Sequence, residues 1–241
     1  MSSVAQPDRP MHWDATWRTI VFVLAASSIW CLLAEMYGLC SMRAFTLWVL
    51  IPATVLLYGL AIWDRRRGDG ILWRGVMIGS LAGFLAAVAY DLFRLPFVFS
   101  HVWNLGPIVP QMPLYKVFPR FGAMILGQPL EQAHYSLITQ LVGWAYHFSN
   151  GVTFGVMYVA LIGDPRRGNW WWGVAMATGI ETALLISPYG KFFGIPVTAL
   201  FIAVTLSAHV IFGAVMGWYT REIDRRLGGS GGFGAAIAAA A

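Results

Sequence analysis

Three ionisable side chains lie deep inside apolar segments, where such residues are costly and usually carry function. His147, Glu181 and His209 are each eleven or twelve residues into a segment long enough to span a membrane. At about 1.5 Å per residue, each is roughly 16–18 Å into a hydrocarbon core about 30 Å thick. Because the loops between the three segments are short, we expect them to pack as antiparallel neighbours. We therefore predict that the three side chains meet near the bilayer midplane.

Two imidazoles and a carboxylate can do three kinds of chemistry. They form a ligand set for zinc or non-haem iron, with positions open for water or substrate, and Asn150 would complete or support that set. Without metal, the same groups could exchange protons. They could also form an interhelical hydrogen-bond network that only fixes packing. No local motif such as His-Glu-x-x-His decides among the three.

Small residues lie at four-residue spacing from each ionisable residue, in every case on its predicted cytoplasmic side. The patterns are His147-x3-Gly151-x3-Gly155, Gly173-x3-Ala177-x3-Glu181 and His209-x3-Gly213-x3-Gly217. Such spacing is typical of closely packed membrane helices. We expect the three helices to pack together on one side of the site and to leave a wider, polar-lined space at and above it.

A second polar group lies nearer the opposite surface. Glu35 and Asp91 are at similar depth, and we predict that they line an entrance to the midplane site; solvated helix-end charges are the alternative. Asp91 and Arg94 are spaced to form an ion pair within one helix. Tyr189 and Lys191, in the loop before the last segment, could hold an anionic ligand or act as an interfacial anchor.

The composition requires lipid as the main solvent. Of 241 residues, 58% are hydrophobic and 11% are charged, whereas roughly a quarter are charged in soluble domains. A soluble domain of this length could not hide so much apolar surface. The formal net charge is +5, and the basic residues form short clusters between apolar runs. This pattern indicates membrane orientation and excludes nucleic acid as the partner.

Six segments are apolar enough to span a bilayer, and all must be helical because backbone groups in hydrocarbon need internal partners. We predict an all-α polytopic membrane protein with a six-helix domain over residues 1–227 and a flexible Gly/Ala-rich tail over 228–241. The predicted spans are 18–39, 44–63, 71–93, 135–162, 170–188 and 197–219.

The distribution of Lys and Arg predicts the orientation. Eleven lie at the termini and in the loops after spans 2 and 4, against five on the other side. This excess places both termini in the cytoplasm of a multi-pass inner-membrane protein. The stretch 95–134 then lies outside; its six prolines argue against a long helix, and its apolar residues favour a cap on the outer leaflet. Cys31 and Cys40 are interpreted as packing residues.

The C-terminal third resembles the YagU-like group of bacterial inner-membrane proteins. The resemblance rests on the helix around His147 and on the segments Ala208–Gly213 and Arg221–Arg226. It implies a bacterial inner-membrane location and brings no chemistry with it.

The leading hypothesis is an inner-membrane protein whose His147, Glu181 and His209 site binds a metal, zinc or iron, or exchanges protons on a small or lipophilic substrate. One alternative is a non-catalytic subunit or assembly factor of a larger complex. Another is a proton-coupled transporter, although no inverted repeat is evident. The expected partners are membrane lipids, a second copy of the chain or other membrane subunits, and not nucleic acid.

Overall fold

The structure, a computed structural model, describes residues 14–164 and 169–229, which contain helices and no strand. The prediction of an all-helical chain is confirmed for these residues, and each of the six predicted segments forms a helix. In chain order the helices are α1 (Ala15–Met36), α2 (Met42–Arg67), α3 (Ile71–Val98), α4 (Val117–Leu126), α5 (Leu137–Ile162), α6 (Trp170–Ile186), α7 (Tyr189–Phe192) and α8 (Ala199–Gly229).

Four of these helices are long and apolar enough to cross a membrane: α1, α2, α3 and α8. The helix α5 has 26 residues but carries the polar sequence around His147 and Asn150. The helix α6 has 17 residues, slightly fewer than the about twenty that a perpendicular span needs. The chain is therefore an apolar helical protein with four candidate spans among its described residues.

Side chains just before the helices fix where several of them begin. Asp14, Ser41, Ser136 and Asn169 each accept a hydrogen bond from a backbone N–H in the first turn of α1, α2, α5 and α6. These N-caps satisfy donors that have no partner inside the helix. The loops therefore carry the polar residues that delimit the apolar segments.

The helix α2 contains one irregular turn. Residues Thr46–Leu50 form a π-helical turn, in which the N–H of Ile51 bonds to the carbonyl of Thr46. Pro52 follows directly and has no N–H to donate to the turn before it. A wider turn next to a proline is a usual way for a helix to absorb that lost hydrogen bond.

The helix α3 lies at the centre of the bundle. It packs against α2, α5 and α8, while α6 packs on α8 and α1 packs on α5. The helices α5 and α8 make only a small contact with each other, and α5 and α6 do not pack along their lengths. The prediction that the segments carrying His147, Glu181 and His209 pack together as neighbours is therefore wrong for α5, which reaches the others through α3.

Glycines make the closest helix contacts possible. Gly79 and Gly83 of α3 lie against the backbone of Gly151 and Gly155 of α5, and a methyl group added at any of the four would collide with the facing helix. Gly173 of α6 meets Gly213 of α8 in the same way. The predicted close packing by small residues is thus present, but the partner of the α5 glycines is α3. The sequence signal was a matching row in α3, at Gly75, Gly79, Gly83 and Ala87.

The predicted external loop 95–134 is more ordered than expected. The helix α3 continues through Pro96 to Val98, and α4 forms a ten-residue helix within the loop. Gly122 of α4 packs on the backbone of Thr139 and Gly143 in α5. Val117, Phe118 and Phe121 of α4 are buried in the core. The cap is therefore part of the packed bundle at one end.

Polar contacts join the ends of several helices at the opposite end. The guanidinium of Arg18 donates to the carbonyl of Ala160 at 2.8 Å. Arg74 forms an ion pair with Asp224 at 2.7 Å, and Asp64 accepts from the N–H of Trp73 at 3.1 Å. The start of α1 and α3 and the end of α2, α5 and α8 therefore share one end of the bundle, which we call the basic end.

Some sequence predictions fall outside the residues that the structure describes. These include Arg9, Arg166 and Arg167 of the orientation argument and residues 230–241 of the predicted tail; α8 itself continues to Gly229. Of the two cysteines, Cys31 is buried, which confirms its packing role, whereas Cys40 is exposed and the same prediction is wrong for it.

The glycine contact between α3 and α5 makes a stability prediction. Gly155→Ala places a methyl group against the backbone of Gly79 and Gly83, so we expect a loss of about 1–3 kcal/mol from overpacking. Thermal unfolding in a mild detergent measures it. Gly59→Ala in α2, where an added methyl meets nothing within 4 Å, is the matched control and should leave stability unchanged or raised. Equal stability of the two variants would contradict the close contact.

Candidate functional site

The residues predicted to meet do border one cavity. It has a volume of about 120 Å³ and is lined by His147, Asn150, Glu181 and His209 together with Tyr90 and Arg94 of α3. The helices α5 and α6 both line this space, which explains why they do not pack directly. On the side of the basic end lie the glycine contacts of α3 with α5 and of α6 with α8. The predicted wider space beside a close-packed region is therefore present.

His147 belongs to a buried charge cluster on the α3 side of the cavity. Its Nε2 lies 2.8 Å from Oδ2 of Asp91, and Oδ1 of Asp91 lies 3.6 Å from Nη1 of Arg94. The ring of His147 stacks on Phe118 of the cap, with centroids 4.1 Å apart. Arg94 also donates to the carbonyl of Leu114. Asp91 and Arg94 thus form the ion pair that their spacing allows. His147 joins this pair as a third member.

His209 and Glu181 form a second pair on the other side. The distance from Nε2 of His209 to Oε2 of Glu181 is 3.5 Å. Nδ1 of His209 lies 2.9 Å from the carbonyl oxygen of Thr205, one turn earlier in α8. A carbonyl can only accept, so Nδ1 carries the hydrogen, and in the neutral ring Nε2 is then an acceptor. Nε2 therefore faces a carboxylate oxygen without a hydrogen of its own, unless an additional proton binds to the pair.

Tyr90 connects the two pairs. Its ring centroid lies 4.9 Å from that of His209 and 6.0 Å from that of His147, and the guanidinium of Arg94 lies 4.7 Å above its ring. Tyr90 was not among the predicted site residues. Tyr90 is next to Asp91 in the sequence, which was a signal for its position. The central place of α3 was not predicted, because no packing partner was predicted for that helix.

Tyr189 closes the cavity on the cap side. It belongs to α7, lines the cavity, and packs against Phe193 with the two rings tilted and their centroids 4.9 Å apart. Burial raises the pKa of Tyr189 above its ordinary value, so the phenol remains a neutral hydroxyl. Lys191, predicted with it as part of an anion-binding loop, is exposed and does not border the cavity.

The site is poor in hydrogen bonds for its polarity. Glu181 is 7% exposed, and within the described ranges its contact with His209 is its only ion pair. Oδ1 of Asn150 is buried and has no partner in the same part of the chain. Buried polar atoms are usually satisfied, and exceptions tend to mark sites of ligand or proton binding. The cavity thus presents an amide oxygen without a donor and a carboxylate, Glu181, whose ion-pair partner is a histidine.

Two other predicted features have different outcomes. Glu35 does not border the cavity, and its carboxylate accepts the backbone N–H of Met42 at the start of α2, so its place at an entrance stays a prediction. For the metal, no group of three or more His, Cys, Asp or Glu side chains in residues 14–164 and 169–229 is placed to hold an ion. Since Nε2 of His147 is engaged by Asp91, the zinc or iron site stays a prediction without supporting geometry.

The class of protein defined so far is a multi-helix membrane protein with a buried polar cavity. The sequence matches no protein-family model, no curated protein and no solved structure. The resemblance to the YagU-like family therefore stays a prediction, and the function has to be argued from the cavity.

The contact between His147 and Asp91 predicts thermodynamic coupling. Removing one partner leaves the other buried and short of a hydrogen bond, so Asp91→Asn and His147→Gln should each destabilise the fold. Together they should cost less than the sum, by about 1–3 kcal/mol. Unfolding of the two single variants and the double variant in detergent measures this coupling.

A distant pair serves as the control. Glu222 lies near the end of α8 and pairs with Arg225 and Arg226. Asp91→Asn and Glu222→Gln should therefore be additive within about 0.5 kcal/mol. Additivity of the Asp91 and His147 variants as well would show that their contact makes no energetic contribution.

Proposed function

We propose that the chain is a six-span inner-membrane protein that exchanges protons at the Glu181–His209 pair and acts on a small or lipophilic substrate in the adjoining cavity. The observation that carries the proposal is the hydrogen bond from Nδ1 of His209 to the carbonyl of Thr205, at 2.9 Å. It leaves Nε2 facing Oε2 of Glu181 as one acceptor toward another. A single proton shared between these two atoms resolves that conflict.

The charges around the cavity support proton binding at this pair. Asp91 and Arg94 neutralise each other, and His147 donates to Asp91 through Nε2, so the cluster on α3 needs no further proton. Glu181 faces no Lys or Arg within 4.0 Å among the described residues. An unneutralised carboxylate in a low-dielectric interior is costly. Uptake of one proton removes that cost, and release of it restores the charge.

The shape of the cavity supports access from the cap side. The glycine contacts close the bundle toward the basic end, while the cavity continues toward the cap past Arg94 and Tyr189. Under the charge rule for membrane proteins the basic end faces the cytoplasm. Protons and substrate would then reach Glu181 from the outer side.

The two helices that fall short of a simple span fit the six-span proposal. The polar residues of α5, His147 and Asn150, border the cavity. The polar side chains of this helix therefore face the interior of the bundle. Gly173 of α6 packs on α8, which crosses at the same depth. Around the bundle, exposed apolar side chains such as Trp48 and Leu92 provide a surface for membrane lipids.

Proton flux tests the proposal directly. In proteoliposomes loaded with a pH-sensitive dye, the wild-type protein should dissipate an imposed pH gradient in the presence of valinomycin. Glu181→Gln should reduce that rate at least about tenfold, because the amide cannot bind the proton. The matched control is Glu222→Gln, a partly exposed carboxylate near the end of α8 that does not border the cavity. Equal flux in wild type and Glu181→Gln would refute the proposal.

Chemical labelling gives a second test that needs no substrate. Hydrophobic carbodiimides react with protonated carboxyl groups in apolar surroundings. Labelling at Glu181, read by peptide mass spectrometry, should rise as the pH is lowered. His209→Leu should change its pH dependence, because the shared acceptor is lost. Labelling of Glu181 that is insensitive both to pH and to His209→Leu would contradict a proton shared by the pair.

A further inference from the structure

A second cavity lies between the cap and α7, directly beside the first. It has a volume of about 450 Å³ and shares Tyr90, Arg94, Val117, Glu181 and Tyr189 with the inner cavity. We call this second space the vestibule. Its volume is within the range of about 300–1,000 Å³ typical of small-molecule sites. A ligand in the vestibule would lie next to the carboxylate of Glu181.

The charged lining of the vestibule is mainly basic. Arg94, Lys116 and Arg120 border it, and Glu181 is the carboxylate of the lining. From outside the lining, Asp91 faces Arg94 at 3.6 Å and Glu131 pairs with Arg120 at 2.5 Å. Lys116 is therefore the cation of the lining that has no carboxylate within 4.0 Å among the described residues. Arg94 and Arg120 are 4% and 5% exposed, and Nε of each has no acceptor in the part of the chain that the structure describes. Buried guanidinium groups with spare N–H donors are suited to carboxylates and phosphates. Lys116 is exposed, at a position where it would attract such an anion.

The remaining wall of the vestibule is apolar. Met112, Leu114, Ile195 and Phe201 line it together with prolines of the cap and of the loop before α8. Leu200, also in the lining, is 46% exposed on the outer surface of the bundle. A ligand that satisfies both parts of the lining has an acidic head group and a short apolar body.

We infer that the vestibule binds an amphiphile with an acidic head group, a carboxylate or a phosphate, held by Arg94, Arg120 and Lys116. This inference rests on the proposed function, since it names the substrate that would give or take the proton of Glu181. The pairing is chemically reasonable because a carboxylate becomes neutral when it takes one proton, and a phosphate dianion loses one of its two negative charges. The apolar body lies along Met112, Leu114 and Phe201.

Binding is measured separately from proton flux. Octanoate and octyl phosphate are titrated into the protein in dodecyl maltoside, and the rise in unfolding temperature gives the Kd. Octanol, acetate and inorganic phosphate are the comparison ligands. The two octyl anions should bind saturably, octanol should not, and the short anions should bind at least about tenfold more weakly because they bury no apolar surface. Octanol binding as tightly as octanoate would overturn the inference. So would acetate or phosphate binding as tightly as the octyl anions.

Two lysines give a matched pair of variants. Lys116→Gln removes an exposed cation that borders the vestibule, and the Kd for octanoate should rise about fivefold. Lys191→Gln removes an exposed cation that does not border it, and the Kd should be unchanged. Arg120→Gln should weaken binding further, but it also removes a contact to the carbonyl of Phe193. Equal effects of the two lysine variants would contradict the assignment.

Glu181→Gln separates this inference from the proposed function. Octanoate should still bind to this variant, because the basic groups are unchanged, while proton flux is lost. Binding of octanoate by a wild-type protein that carries no proton flux would refute the proposed function and leave the ligand class standing. Proton flux with no binding of either octyl anion would refute the ligand class alone.

Discussion

The close approach of α3 and α5 determines where the polar groups of this protein lie. Glycines at positions 79, 83, 151 and 155 let the two backbones touch, and no larger residue permits that distance. About two turns beyond Gly83, Asp91 then meets His147. Because α8 also packs on α3, Tyr90 brings His209 into the same region. The two histidine–carboxylate pairs therefore depend on one helix that itself supplies a single carboxylate.

Much of the fold was predictable because membrane helices leave strong sequence signals. Long apolar segments give the helices, and charged clusters and N-caps such as Asp14 and Ser136 give their ends. That His147, Asn150, Glu181 and His209 border one space also followed from depth alone. The order of packing did not follow, since depth fixes height along the membrane normal and says nothing of position around the bundle. For that reason the central place of α3 and the position of Tyr90 between the two histidines were missed.

The polar cavity is unfavourable for stability and is held by the apolar residues around it. Buried charges such as those of Asp91, Arg94 and Glu181 are retained at a cost of several kcal/mol each unless they are fully paired. Phe118, Phe121 and Tyr146 pack beside them, and the backbone contacts of the glycines fix the helices. Asp91 faces both Arg94 and His147, whereas the described residues give Glu181 a histidine and no Lys or Arg within 4.0 Å. A buried carboxylate without a permanent cation beside it is suited to a site that changes its protonation.

The position of Arg120 has a consequence for how the protein is assembled in the cell. Arg120 lies in α4, yet its carbonyl partner, Phe193, is 73 residues further along the chain. When α4 leaves the ribosome, that partner has not been synthesised. The cap can therefore dock on α5 early through Gly122. The contact between Arg120 and Phe193 beside the vestibule forms only after α6 and α7 have been inserted. Until then the guanidinium has the carboxylate of Glu131 as its partner, and the outer end of the bundle is the last part to be completed.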